Sequence, residues 1–200
     1  MRNDYLKFAL VPAAAVMVSS CGFNEVPTAE EAAKAKWADV QSAYQRRADL
    51  VPNLVEAVKG AMQQEQDVLI GVTEARAKAS STQISAEDLT DPTKVAAFQA
   101  AQSELGGALS RLLVTVEAYP QIKSNENVLA LQSQLEGTEN RISVARRDYN
   151  EAVRQYNTTI RTFPAIVAAK VIYGAEAMET FTATTEGAEE APQIDMTPGQ

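Results

Sequence analysis

The sequence predicts an all-α protein, an elongated antiparallel bundle of three long helices plus a shorter C-terminal helix. The composition suits long helices, because 46% of residues are hydrophobic while only 6% are aromatic. Between residues 95 and 119, apolar residues recur at alternating spacings of three and four. A second seam repeats by sevens at Val128, Leu135, Ile142, Tyr149, Tyr156 and Phe163. A helix of that length, about 50 Å at 1.5 Å per residue, needs partner helices in water.

The N-terminus resembles a lipoprotein-type signal peptide, residues 1–20. Arg2 and Lys7 precede an apolar run over residues 8–18, which is too short to cross a bilayer that takes about 20 apolar residues. The run ends at Val18-Ser19-Ser20-Cys21, which resembles a bacterial lipobox with Val and Ser at positions that more often hold Leu and Gly or Ala. We therefore expect cleavage before Cys21 and attachment of acyl chains, palmitate among them, to it.

Two other interpretations of this segment remain open. It could be a secretory signal with an incidental cysteine, or a single-pass anchor through residues 8–23. Cleavage after residue 20 would change the net charge from −8 to −9. The remaining chain is then divided into a tether (21–27), a helical bundle (28–181) and a disordered acidic tail (182–200).

The first long helix is predicted to begin at Thr28, which with Glu31 matches a capping box. Two apolar stripes then run past residue 70, which predicts contacts with two neighbouring helices. Pro52 lies within this pattern and predicts a kink or a short break, with the unbroken periodicity favouring a kink.

Turn residues over 80–92 predict a loop, and Asp91-Pro92 has the N-cap and N1 residues of the next helix. Gly106 and Gly107 weaken that helix, which suggests a closely approaching neighbour helix. Its seam consists of Val95, Phe98, Gln102, Leu105, Leu109, Leu112, Val116 and Tyr119.

Tyr119-Pro120 and Ser124-Asn125 bound a short connection that makes the second and third long helices antiparallel neighbours. Phe163-Pro164 ends or bends the third helix. Residues 165–181 are apolar enough for the shorter fourth helix, with Gly174 as its weak point.

Polar residues beside the seams form a possible interaction face. Spacings of three, four and seven place several of them on shared helix faces. Two interpretations are open: a polar groove that binds something, or solvated side chains that fix helix register. We expect Arg47 to pack near a helix interface with Glu136 or Glu139. The candidates are Arg46, Arg47, Asp49, Asn53, Glu56, Glu136, Glu139, Asn150 and Asn157.

Composition argues against several functions. The chain has no histidine and one cysteine, so the usual metal ligands and the commonest general base are lacking. No nucleophile–base pair, P-loop or dinucleotide motif occurs. The net charge of −8 disfavours nucleic-acid binding. We therefore expect no enzymatic activity, no catalytic residues, no metal and no cofactor.

Several motifs together resemble the LemA family over about residues 35–181. They include Trp37-Ala-Asp-Val40, the stretch Gln45-Arg-Arg-Ala-Asp-Leu-Val-Pro-Asn53, Tyr119-Pro120, the pairs Tyr149-Asn150 and Tyr156-Asn157, and Phe163-Pro164. The resemblance implies a bacterial, membrane-attached bundle of long antiparallel helices, and it implies no catalytic residues. Family members usually keep an N-terminal transmembrane helix, whereas this chain looks like a cleaved lipoprotein.

The resulting hypothesis is a scaffold or interaction protein held at the extracytoplasmic (periplasmic) face of the bacterial cell membrane by lipidated Cys21. Its partner would be an unidentified envelope protein or a second copy. Two rivals are a carrier that binds an apolar envelope molecule between its helices and an enzyme of unrecognised type. A carrier requires an apolar cavity, and an enzyme requires convergent polar groups in a pocket.

Overall fold

The computed structural model describes residues 23–62 and 64–182. Within these ranges the protein is helical with no strand, which confirms the all-α fold. The expected signal peptide, Cys21 and the acidic tail from residue 183 onward lie outside the described residues.

The first helix, α1 (Glu25–Lys59), begins one turn earlier than the capping box predicts. Asn24 is the N-cap residue, and Thr28 lies inside the helix, where its hydroxyl donates to the Asn24 carbonyl at 2.6 Å. The predicted capping box is therefore wrong. The extra turn places Val26 in the core, fully buried, which favours the earlier start.

The helix continues through Pro52 and ends instead before Gly60. The next helix is α2 (Gln66–Ser81), so the predicted first helix is divided after Lys59 and the chain reverses between the two helices. Glycine is a poor helix former, and the reversal lets Val72 and Ala75 join the core of the bundle.

The predicted loop contains one 3₁₀ turn, Glu87–Thr90, and leads into α3 (Pro92–Glu117). The Asp91 carboxylate accepts hydrogen bonds from the backbone N–H groups of Thr93 at 2.9 Å and Lys94 at 3.3 Å, which confirms the predicted cap. The seam from Val95 to Val116 is buried, and Tyr119 is partly buried.

A single helical turn, α4 (Pro120–Lys123), occupies the predicted short connection. Asn125 then caps α5 (Glu126–Thr159) through a 2.9 Å hydrogen bond from Asn127 N–H. Five of the six heptad residues are buried, but Phe163 lies beyond the helix end and is 78% exposed, so its assignment to the seam is wrong.

The predicted fourth helix is much shorter than expected. It comprises α6 (Ala165–Ala168) and a π-helical turn, Ala169–Tyr173, and it ends at Gly174. Gly174 has φ +58°, a left-handed conformation that favours glycine and terminates helices. The helix predicted as far as residue 181 is therefore wrong past Gly174, and residues 175–182, here called the C-terminal segment, are not helical.

The helices α1, α2, α3 and α5 run alternately up and down the bundle. α1 packs most closely against α5, and α2 against α3. The core has two halves. One is an aromatic cluster in which the Trp37 ring lies 5.3 Å from Phe98, 5.5 Å from Tyr149 and 6.0 Å from Phe181. The other is aliphatic and includes Leu54, Leu105, Leu112, Val128 and Leu135.

Candidate functional site

Arg47 is a buried charged residue on α1, and it joins three helices. Its Nη1 donates to Glu139 Oε1 on α5 at 3.1 Å. Its Nη2 donates to both the backbone oxygen and Oε1 of Gln102 on α3, each at 2.8 Å. The guanidinium also lies 5.0 Å from the centroid of the Tyr44 ring. The expected contact between Arg47 and Glu139 is confirmed, and we call Arg47, Gln102 and Glu139 the arginine node.

The Arg47 guanidinium donates three hydrogen bonds within the arginine node, but one of its nitrogens lacks an acceptor in the described part of the chain. Among the described residues, Arg47 Nε has no hydrogen-bond partner. A buried guanidinium lowers the stability of the fold unless hydrogen bonds of good geometry offset its desolvation. Those bonds form only when α1, α3 and α5 are correctly aligned, so the node favours this alignment over others. This geometry suits a register-fixing role better than catalysis, because the Arg47 side chain is 3% exposed and its hydrogen bonds all lie within the bundle.

Of the glycine pair on α3, Gly106 has a neighbour on another helix. A Cβ placed on Gly106 would meet Arg47 Nη1 at 3.6 Å, an ordinary contact, and one on Gly107 would meet no described atom within 4 Å. The neighbour of Gly106 is thus a side chain of the arginine node. The neighbouring helix α1 therefore approaches Gly106 through the Arg47 side chain, and Gly107 has no such neighbour among the described residues.

The other predicted polar residues of α1 do not converge. Arg46, Asp49, Asn53 and Glu56 are all exposed. Asp49 accepts a hydrogen bond from Gln45 Nε2 at 2.7 Å, and Glu56 lies 3.8 Å from Lys59 Nζ, so these contacts are local to the helix. Glu136 on α5 is exposed as well. Asp49, Asn53, Glu56 and Glu136 therefore form a solvated face, and of the predicted residues Arg46 and Glu56 each line an open groove with other polar side chains.

Asn150 and Asn157, seven residues apart on α5, hold the C-terminal segment. Asn150 donates to the carbonyl of Phe181 and accepts from its N–H, both at 2.8 Å. Asn157 makes the same pair of bonds with Met178, both at 2.9 Å. Each amide side chain thus satisfies both the N–H and the carbonyl group of one residue of the C-terminal segment, as a neighbouring strand would do in a sheet. We call this pair the asparagine clamp.

Tyr149 reinforces the clamp from the same helix. Its hydroxyl donates to the carbonyl of Glu179 at 2.9 Å, and burial raises the pKa of this phenol well above its ordinary value. Arg146 adds a hydrogen bond to the carbonyl of Thr182 at 2.9 Å and lies over the Phe181 ring. Three residues of the repeated Tyr-Asn pairs, Tyr149, Asn150 and Asn157, therefore hold a backbone segment, a role that the heptad spacing alone does not reveal.

Two of the open grooves on the described part of the bundle bear on its function. One, of about 370 Å³, lies between α1 and α5 and is lined by Asp39, Arg46, Asn140, Arg141 and Asp148 among others. The second, of about 840 Å³, lies between α1 and α2 where the chain reverses, and its apolar lining includes Val55, Met62, Leu69 and Ile70.

Two features are absent from the described residues, 23–62 and 64–182. In these ranges no three His, Cys, Asp or Glu residues are grouped as they would be to hold a metal ion. None of the helices described there has both the length and the apolar character needed to cross a bilayer.

Curated relatives include magnetosome proteins. MamQ 2 and MamQ 1 of Paramagnetospirillum magneticum are each 38% identical over 68 residues, which is 34% of this chain and 25% of the relative. MamQ of Magnetospirillum gryphiswaldense is 26% identical over 158 residues, covering 71% of this chain and 58% of the relative. The chain therefore spans between a quarter and somewhat more than half of these relatives.

A further relative and a family model identify the chain more directly. Protein LemA of Metamycoplasma hominis is 24% identical over 124 residues, covering 62% of this chain and 52% of that protein. None of these relatives bears a name that describes an enzymatic activity. The model of the LemA family matches residues 36–196, including the arginine node and the asparagine clamp. Because this match covers most of the chain, the protein belongs to the LemA family.

Proposed function

We propose that this protein is a membrane-anchored interaction module, held at the extracytoplasmic face of the bacterial cell membrane by acyl chains on Cys21. In this role the bundle displays a rigid helical surface to a protein partner and performs no chemistry. The single-pass anchor through residues 8–23 is the alternative mode of attachment.

The observation that carries the proposal is the start of α1 close to Cys21. Glu25, four residues after Cys21, begins α1, and α1 then runs the length of the bundle to Lys59. An anchor at Cys21 would therefore hold one end of the bundle at the membrane. At about 1.5 Å per residue, the 34 residues of α5 would extend the surface about 50 Å away from it.

The interior of the bundle fits an interaction module better than an enzyme. Side chains of the protein itself fill both halves of the core, and the buried polar residues Arg47, Gln102 and Thr138 all bond within the bundle. The groove between α1 and α5 carries both signs of charge, with Arg46 and Arg141 near Asp39 and Asp148. Such a surface fits docking of a polar protein surface.

Photo-crosslinking in intact cells tests the display role. A benzophenone amino acid at Arg46, in the groove between α1 and α5, should give a discrete crosslinked product. The same group at Arg111, an exposed residue of α3, should give little. Equal labelling at both positions, or no product at either, would contradict docking at this groove.

Fractionation tests the anchor separately. The wild-type protein should sediment with membranes, and Cys21→Ser should lose the acyl chains and appear in the soluble fraction. If Cys21→Ser stays in membranes with its N-terminus uncleaved, the apolar run is itself the anchor.

The carrier hypothesis has one supporting observation, the groove between α1 and α2. Its volume of about 840 Å³ falls in the range of small-molecule sites, and Ile70 on its rim is 51% exposed. A carrier should bind an apolar fluorescent fatty acid, and Ile70→Glu should weaken that binding while Val114→Glu, an exposed change on α3, leaves it intact. Equal binding by all three proteins would argue against a carrier.

A further inference from the structure

An exposed apolar patch follows the end of α5. Phe163 and Val171 are each 78% exposed, Ile172 56%, Val167 53% and Tyr173 44%. We call these five residues the end patch. Large apolar side chains exposed this close together in the chain mark places where a partner or a membrane binds.

In an ordinary amphipathic helix the larger apolar side chains face the core, but in the helical turns that carry the end patch they face the solvent. Ala165, Ala168 and Ala169 form the buried side, while Val167 and Val171, four residues apart, face outward. Small residues thus dock the turns on the bundle, and the larger apolar residues remain in solvent. Burial of those larger side chains would be favourable, so the exposed arrangement indicates a missing partner.

The end patch lies where the N-terminal residues enter the bundle. The Tyr173 hydroxyl donates to the backbone oxygen of Phe23 at 3.2 Å, and Phe23 is itself 37% exposed. Cys21 is two residues earlier, and two residues span at most about 7 Å. A membrane that holds Cys21 would therefore lie beside the end patch.

The charges around the end patch favour a lipid surface. Residues 160–175 include two basic residues, Arg161 and Lys170, both exposed, and no acidic residue, while Glu176 follows this stretch directly. Apolar side chains flanked by Lys or Arg are typical of segments that lie in the boundary between lipid headgroups and acyl chains, where anionic lipids attract the basic residues.

We propose that the end patch inserts into the outer boundary of the lipid bilayer beside the N-terminal anchor. This inference rests on the proposed anchoring at Cys21. Two contacts, the acyl chains and the end patch, then fix the orientation of the bundle on the membrane, which a flexible tether alone would leave free. A second copy of the chain, or the apolar run 8–18, is the competing occupant.

Depth-dependent quenching tests the insertion. Full-length Val171→Cys is labelled with a polarity-sensitive fluorophore and placed in vesicles that contain anionic lipids and nitroxide groups on the acyl chains. The thiol of lipidated Cys21 is blocked, so the label attaches at position 171. The matched control is Val114→Cys, because Val114 is 69% exposed on α3 and its neighbour Val116 belongs to the aliphatic half of the core.

The label at position 171 should show blue-shifted emission and be quenched severalfold more strongly than the label at position 114. Equal, weak quenching at both positions would overturn the inference even if the protein floats with the vesicles. A blue shift without quenching at position 171 would assign the end patch to a protein contact and also overturn it. Labelling of the wild-type protein at Cys21 would contradict the lipid anchor, which is a different failure.

Discussion

The arginine node makes a quantitative prediction about stability. Three variants separate the contributions of its side chains to the free energy of unfolding. Arg47→Met removes the charge and keeps most of the volume, and Gln102→Leu removes the side-chain acceptor. The third variant carries both changes. Arg46→Met is the matched control, because Arg46 is adjacent in sequence and exposed.

Arg47→Met removes two bonds of 2.8 Å to Gln102 and leaves Gln102 Oε1 buried without that donor. A stranded buried acceptor costs about 1–3 kcal/mol. Loss of the contact with Glu139, which is half exposed, adds at most about 1 kcal/mol because exposed ion pairs contribute little. The expected loss of unfolding free energy is therefore about 1–4 kcal/mol.

Gln102→Leu should cost about 1–3 kcal/mol, since the Arg47 Nη2 group loses its side-chain acceptor and keeps only the backbone oxygen of residue 102. The double variant removes both side-chain partners. Replacing a buried charged group and its partner by apolar side chains often leaves the free energy of unfolding unchanged. The double variant should therefore unfold within about 1 kcal/mol of the wild type, which requires a large non-additive coupling.

Urea unfolding followed by circular dichroism measures these differences, provided that the m-value is unchanged among the variants. Arg46→Met should lie within about 0.5 kcal/mol of the wild type. The reasoning is refuted if Arg47→Met matches Arg46→Met, or if the two single changes add in the double variant.

Three further predictions concern the core, the clamp and the pH dependence. Leu109→Asp, at a site 4% exposed, should unfold or severely destabilise the bundle, whereas Val114→Asp should leave its melting temperature nearly unchanged. Asn150→Ala should speed hydrogen exchange in the C-terminal segment and lower stability by about 1–3 kcal/mol, while Asn140→Ala, exposed on the same helix, should do neither. Because burial raises the pKa of Tyr149 in the folded state above its ordinary 10.0, the unfolded chain loses that proton first, so stability should fall as pH rises above 10. Tyr149→Phe should flatten this fall in part, and an unchanged slope would contradict it.

Periodicity predicted the fold well because it reports which faces are buried. The seam of α3 and most of the seam of α5 are buried as expected, and both predicted caps at Asp91 and Asn125 form. The boundary at Gly60 was missed because the apolar stripes continue across it. Tertiary packing of α2 against α3, which no local pattern reports, decides where the chain reverses.

The candidate site was predicted in part. The spacing of Arg47 between two seams indicated a buried position and a carboxylate partner on α5, and Glu139 is that partner. Gln102 appeared in the seam of α3 only as a polar exception, yet it accepts two of the bonds from Arg47. The asparagine clamp could not be predicted, because its ligand is a backbone segment that the sequence pattern assigns to a helix.

The most direct test of the anchored bundle is the mass of the N-terminal peptide of the protein isolated from its native membranes. The proposal predicts that Cys21 is the first residue and carries acyl chains. An intact N-terminus at Met1, or an unmodified Cys21 thiol in the membrane-bound protein, would contradict it.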